Sequence, residues 1–338
     1  MEEVTERIRM PDVPTKKILL DRAFSRASKR ASVVRAAEGQ TEEQEKRGRL
    51  WAAREKESIR IGISGDVLVS ELQEVVTNTF SYDKLPPFQQ DLVAVLVDVD
   101  RFKKALGALK WAAAEIGTQQ SKYTGRLRNA REFHTMNRLR IEFYGIASAT
   151  VDKVKKDLAY LIECKAMLTN VPNLKDLPTV VIAGLPNVGK SSLLAALTGS
   201  RPEIQPYPFT TKGLMVSYAE GRYGDVQIVD TPGLLDRPLK DRNRIEKQAI
   251  AALSHVASVI VYVYDPTDTY PLEQQEALYK EIKATYKKPI IAVYNKCDVA
   301  RVEGTLAVSA VTREGIEPMW QEVLRHVYRR ERVHSGSS

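Results

Sequence analysis

Cysteine is nearly absent from this chain of 338 residues, with Cys164 and Cys297 its only two, and histidine is scarce at His134, His255, His326 and His334. Two distant thiols, one read on a helix and one in a loop after a strand, make no disulfide framework and fit lone buried side chains in a reducing compartment. The histidines lack metal-ligand spacing, which leaves no candidate zinc site. No run of eighteen or more uncharged apolar residues occurs, so no membrane-spanning helix is predicted. The opening MEEVTERIRM is charged and has no apolar centre, unlike a secretory signal. These absences predict a cytoplasmic protein without a membrane partner. What is present is ordinary for a folded protein: 43% apolar and 28% charged residues, at a length that allows two domains with separate cores.

The net charge of +8 is unevenly spread. Residues 1–176 hold 31 Lys and Arg against 25 Asp and Glu, whereas 177–338 hold 20 against 18. Within 101–140 there are ten basic residues and only Glu115 and Glu132 as acids. A surplus that dense favours an anionic partner surface such as nucleic acid. Its other reading is a solvated helix face.

From about residue 12 to 170 the periodicity is helical. In FQQDLVAVLVDVDRFKKALGALKWAAAEI, Leu92, Val95, Val99, Phe102, Leu106 and Leu109 recur every three or four residues, which places them on one side of a helix, with Lys103, Lys104 and Lys110 elsewhere. Val151, Val154, Leu158 and Leu161 repeat the pattern before Pro172. SYDKLPPF at 81–88 marks a break, and EGQTEEQ at 38–44 a looser turn. After Pro178 the pattern changes. TVVIAG (179–184), VQIVD (226–230), SVIVYVYD (258–265) and PIIAVYNK (289–296) are short β-branched runs separated by helical stretches, as in a mostly parallel sheet covered on both faces. The predicted organisation is an all-α helical bundle over 1–175, an α/β domain over 176–330 and a flexible tail at 331–338.

GLPNVGKSS at 184–192 fits the phosphate-binding loop pattern G-x-x-x-x-G-K-[ST] and has its context, a strand before and a helix after. Gly184 and Gly189 permit a tight loop whose N–H groups point inward; Pro186, Asn187, Val188 and Ser192 are its other candidate binding residues, and the helix adds its positive end. Lys190 reaches the outer phosphates and Ser191 binds Mg²⁺ in this reading. YPFTTKG at 207–213 supplies a threonine to close over Mg²⁺, Thr211 or alternatively Thr210. DTPG ends an apolar strand, which places Asp230 to hold a Mg²⁺ water and Gly233 to offer its N–H to a γ-phosphate. Metal candidates are therefore Ser191, Thr211 and Asp230, and the candidates acting on the reacting phosphate are Lys190, Thr211 and Gly233. NKCD at 295–298 also follows a strand. Asp298 accepts from the two donors of guanine that adenine lacks, Asn295 meets the other edge, and Lys296 lies between them. VSA at 308–310 adds a backbone N–H from Ser309 or Ala310 for the guanine oxygen. In combination these segments describe a P-loop GTPase domain that binds GTP or GDP.

The combination of PNVGKSS, QPYPFTTKGL, VDTPGLLDRPLKDRN and NKCDV, preceded by the helical FQQDLVAVLVDVDRFKKALG, resembles the nucleolar GTP-binding protein family within the Obg-related GTPases. The resemblance covers roughly residues 10–330. RPLKDRNRIEKQAI at 237–250 separates this family from Obg relatives, whose glycine-rich N-terminal domain is missing here. It implies a role in assembly of the large ribosomal subunit or its precursor, with the helical domain engaging rRNA. The chain stops at 338 and is similar to a shorter archaeal type, for which a monomer is expected when free.

One further absence concerns catalysis. Leu234 follows DTPG where many nucleotide hydrolases keep a water-orienting glutamine. The resemblance implies that an apolar residue is common there and that hydrolysis is slow. Asn187 is then a candidate to hold K⁺ beside the phosphates, or it only shapes the loop. Arg237 and Arg242 are weaker candidates for a stabilising arginine in cis. Asp236, Asp241, Arg242 and Glu246 either solvate a switch helix or report nucleotide state. The competing class is a GTP-dependent switch whose helical domain grips a protein; the aromatics Tyr123 and Phe133 among the basic residues favour RNA.

Overall fold

A computed structural model describes residues 8–36, 41–199, 201–208, 210, 213–237, 242–267 and 269–329. Among the described residues the chain divides into two compact units, one of Ile8–Ser81 with Val97–Met167, the other containing Tyr82–Leu96 and the residues from Leu168 onward.

The first unit is helical: α1 (Lys16–Ala31), α2 (Glu42–Thr77), α4 (Val99–Arg128), α5 (Phe133–Lys153) and α6 (Lys155–Leu168). Thr41 starts α2 by accepting from the Gln44 N–H, and Glu42, Glu43 and Glu45 fill the first turn, where the helix dipole favours negative charge. Ile61, Leu68, Leu72 and Val75 give α2 a buried stripe, and α2 packs against α1, α4 and α5. Gly65 lets α4 approach closely, since a Cβ there would lie 2.4 Å from the Gln120 side chain. Gln120 Nε2 instead donates to Gly62 O at 2.9 Å and to Asp66 Oδ1 at 2.8 Å.

The run from Leu92 to Leu109 is not one helix. It breaks at Asp98, whose carboxylate accepts the Arg101 N–H at 3.0 Å and caps α4. The preceding α3 (Pro87–Leu96) buries Phe88, Leu92 and Val93 and packs on α8 (Arg244–Val256) in the second unit. Tyr82–Leu96, which a boundary near 175 assigns to the helical domain, therefore groups with the sheet.

That sheet has six strands among the described residues: β1 (Thr179–Ala183), β2 (Glu203–Gln205), β3 (Leu214–Gly221), β4 (Gly224–Asp230), β5 (Ala257–Tyr264) and β6 (Ile290–Tyr294). Their order is β2-β3-β4-β1-β5-β6. β4, β1, β5 and β6 run parallel, while β2 and β3 add an antiparallel edge absent from the four-strand reading. β1 is buried along its whole length, as a central strand between covered faces should be. α7 (Lys190–Thr198) packs on β1, β3 and β4, and α10 (Ile316–Arg329) on β5 and α7; α9 (Leu272–Thr285) is also in this unit. The carboxyl ends of β1, β4, β5 and β6 lead directly into Gly184, Thr231, Asp265 and Asn295. This is the edge where open α/β sheets bind ligands.

Candidate functional site

A cavity of about 770 Å³ opens at that edge, lined by Pro186, Asn187, Gly189, Lys190, Ser191, Ser192, Thr210, Asp230 and Gly233, with Pro232, Asp236 and Arg237. Nine residues taken from separate motifs thus face one space of ligand size. Gly189 caps α7 with φ +96°, and a Cβ there would lie 2.1 Å from Asn295 Nδ2. Lys190 is buried and its ammonium donates to Gly184 O at 2.9 Å and Leu185 O at 2.8 Å. A cation held inside a loop that opens a helix is suited to anionic oxygens.

The Ser191 hydroxyl donates to Asp230 Oδ2 at 2.6 Å. Asp230 is fully buried, and burial pushes its carboxyl above the usual range despite the Ser191 bond and the nearby Lys190 charge. Its Oδ1 is buried without a hydrogen-bond partner among the described residues. An orphaned carboxylate oxygen beside a hydroxyl fits a hard cation such as Mg²⁺. Thr210 also lines the cavity, but its Oγ1 donates to Tyr207 O at 3.2 Å and accepts the Gly213 N–H at 3.1 Å, closing a local turn. Thr211 lies outside the described residues, as do Asp241 and the tail at 331–338.

Asn295 ties the loop before α7 to the NKCD and VSA loops. Its Nδ2 donates to Val188 O at 2.9 Å and its Oδ1 accepts the Ala310 N–H at 3.1 Å. The side chain expected at the guanine edge therefore also fixes both loops, and the Ala310 N–H expected at the guanine oxygen is engaged by it. Ser309 is buried, with Oγ accepting the Thr312 N–H. Lys296 pairs with Asp265, a partner not identified from the sequence although Asp265 follows β5. Burial alone would raise the Asp265 carboxyl, but hydrogen bonds from Lys296 and Thr267 outweigh it and hold the pKa low. Asp298 is exposed.

The charged stretch after DTPG folds inward. Leu234 is only 1% exposed. Arg242, buried, donates to Gly233 O at 2.6 Å and Leu234 O at 2.8 Å, so its guanidinium clamps a turn and is not extended toward the cavity as an arginine finger. Burial is the main cause lowering its pKa. Glu246 closes a capping box with Asn243 at the start of α8, which accounts for its charge structurally.

In the helical unit, Lys104, Lys110, Lys122, Arg128 and Arg131 are exposed, with no ion pair among the described residues. Arg126 and Arg138 pair with Glu142. Phe133 is exposed, but Tyr123 is not available for stacking on a partner: it is buried beside Phe143, with Arg126 over its ring. Trp111, on the same helix as these lysines, is the exposed aromatic that the sequence reading missed.

Residues 8–179 match the family model of the NOG1 N-terminal helical domain, and 179–296 match that of the 50S ribosome-binding GTPase. An uncharacterized protein of Methanocaldococcus jannaschii is 40% identical over 297 residues, covering 87% of this chain and 81% of its own length. Nucleolar GTP-binding protein 1 of Encephalitozoon cuniculi is 34% identical over 245 residues, 71% of this chain but 46% of that protein. The corresponding protein of Saccharomyces cerevisiae is 31% identical over 72% of this chain and 38% of its own length. The chain thus spans less than half of these two nucleolar relatives. A solved Plasmodium falciparum structure described as a candidate nucleolar GTP-binding protein 1 is 26% identical, covers 49% of this chain and 93% of that one, and has a TM-score of 0.42. With both a helical-domain and a GTPase-domain match, the chain belongs to the NOG1 family of GTP-binding proteins.

Proposed function

We propose that this protein binds GTP and hydrolyses it to GDP and phosphate, and that nucleotide state times its stay on the large ribosomal subunit or its precursor, where the helical unit grips rRNA. The carrying observation is the exposed basic set Lys104, Lys110, Lys122, Arg128 and Arg131 with Trp111 and Phe133, in a chain that also has the nucleotide cavity. Cationic side chains meet phosphates, and aromatic faces stack on unpaired bases.

In the cavity, Lys190 holds the outer phosphates, Gly233 offers its N–H to the terminal one, and Ser191, Asp230 and Thr211 hold Mg²⁺. The ion's part is to neutralise charge on the phosphate oxygens. Asp298 selects guanine, supported by Asn295, Lys296 and Ala310. Buried Leu234 leaves the attacking water unoriented, so hydrolysis by the free protein is slow. The ribosomal particle completes the site, or K⁺ beside Asn187 assists. We place this activity in the cytoplasm and take the free protein to be a monomer. Among the described residues no helix is long and apolar enough to cross a membrane.

The test is single-turnover GTP hydrolysis with and without large ribosomal subunits, in potassium and in sodium, paired with rRNA binding across a salt series. Acceleration by the particle and a steep salt dependence support the reading. Tight binding that is insensitive to salt favours the second reading, a protein partner, for which exposed Trp111, Phe133 and Ile141 supply apolar contact.

A further inference from the structure

The turn after DTPG has one group whose partner is out of keeping with the rest. Leu234 N donates to Thr231 O, Leu235 O accepts from Gly184 N, and Arg242 holds the carbonyls of Gly233 and Leu234. Each of these bonds ties the turn to itself or to the phosphate loop. The Gly233 N–H, by contrast, goes to a carboxylate: it donates to Asp236 Oδ2 at 2.8 Å. Asp236 and Gly233 line the same cavity as Lys190, Ser191 and Asp230.

We propose that Asp236 is an internal stand-in for the terminal phosphate of GTP, occupying the Gly233 N–H when that phosphate is absent and setting the protein's preference between di- and triphosphate. This rests on the GTP-binding reading above. A carboxylate and a phosphate are both anionic acceptors, and a single N–H serves one of them well. A triphosphate that takes the N–H also repels the Asp236 carboxylate, which must leave. The structure provides a destination. Arg242 Nη2 lies 3.6 Å from Asp236 Oδ1, and Arg242 Nε is buried without a hydrogen-bond partner among the described residues. A displaced carboxylate turning onto this unfilled donor stays close to the turn and reoccupies Gly233 once the terminal phosphate has gone. A diphosphate never reaches the Gly233 N–H and leaves the latch closed. Asp236 thus acts against triphosphate binding specifically, and a residue that only supported the turn would affect both nucleotides alike.

Equilibrium binding of GDP and of a non-hydrolysable GTP analogue, both with Mg²⁺, to the full chain and to Asp236→Ala and Asp236→Asn separates these cases. The expected result is analogue affinity raised about tenfold in Asp236→Ala, the scale of one competing charge-assisted hydrogen bond, with GDP affinity held within about twofold. Asp236→Asn, which keeps the shape and loses the charge, should fall between, and it carries the comparison if the alanine variant does not fold. In the nucleotide-free protein, Asp236→Ala should also speed hydrogen exchange at the Gly233 amide. Parallel changes for GDP and analogue, or weaker analogue binding, would overturn the latch while leaving nucleotide binding intact. Binding of neither nucleotide by the unaltered chain would overturn the GTP reading and the latch with it.

Discussion

Replacing Gly189 with alanine tests whether the P-loop and the NKCD loop are one mechanical unit. The residue has φ +96°, and its added Cβ would sit 2.1 Å from Asn295 Nδ2. The positive φ alone costs about 1–2 kcal/mol for a residue bearing a Cβ. Expelling Asn295 removes its bonds to Val188 O and Ala310 N and adds about 1–3 kcal/mol for polar groups left buried and unpaired. Gly189→Ala should therefore destabilise by roughly 2–5 kcal/mol. Asn295→Ala loses the same two bonds without the backbone strain, about 1–3 kcal/mol. In the double variant the clash has no target and only the φ cost is added. The pair should then fall short of the sum of the single effects by about 1–3 kcal/mol, a coupling that a double-mutant cycle resolves. The assay is urea unfolding of the four proteins, with GDP affinity measured in parallel. Additive effects would refute the contact, and an unperturbed Gly189→Ala would refute both contact and strain.

Arg242→Ala strips a buried guanidinium from two carbonyls and from Asp236, and should cost about 3–5 kcal/mol in thermal or urea unfolding, the usual penalty for breaking a buried charged set. Stability close to that of the unaltered chain would show that Arg242 does not clamp the turn. Asp298→Asn should move base preference from guanine toward xanthine by exchanging an acceptor for a donor, which competition binding with the two nucleotides reads directly. Asp230 sets a pH dependence of unusual sign. Its folded pKa is raised by burial, so between about 3.8 and that raised value the folded state binds more protons than the unfolded chain, and its stabilising contribution is lost as pH rises through the folded value. In metal-free protein, Asp230→Asn should flatten that part of the stability profile. A profile unchanged by the substitution would mean that the carboxyl is not desolvated. Charge reversal at Lys110 and Lys122 together should lower the slope of log rRNA affinity against log salt by about 0.7–0.9 for each phosphate no longer neutralised, with GDP binding unchanged. An unchanged slope would remove these two residues from the proposed RNA face.

The fold was legible in the sequence wherever a pattern is private to one kind of element. β1 reads as a strand because a central parallel strand is apolar on both faces, and all five of its residues are buried. β3 was passed over because its two faces differ: Leu214 and Val216 are buried, Met215 and Tyr218 half-buried, and its partner across the hairpin is antiparallel β4. The break between α3 and α4 was hidden for a different reason. Val95 and Val99 are four residues apart, so the apolar spacing continues across a junction where the backbone does not. Only a cap marks the boundary, Asp98 with Arg101 three residues on, and a cap is a single side chain set against a run of many.

The candidate site divides along a similar line. Gly189, Lys190, Ser191 and Asp230 can be grouped from the sequence because the motifs proposed for phosphate and metal binding put particular residues at fixed spacing, and the structure places all four at one cavity. The structural partners of Asn295, Asp236 and Arg242 are not legible in the sequence because in this fold they are largely backbone atoms: Val188 O and Ala310 N, Gly233 N, and the carbonyls of Gly233 and Leu234. When two side chains bind each other, both leave a trace in the sequence. A side chain that binds backbone leaves one, since every residue offers a carbonyl and nearly every one an N–H. Arg242 therefore looks like one more charge in RPLKDRNRIEKQ until the fold brings two carbonyls to it and closes water out. The polar residues most able to carry unread function in such a stretch are those whose charge is spent on the main chain, and they are found by burial and not by motif.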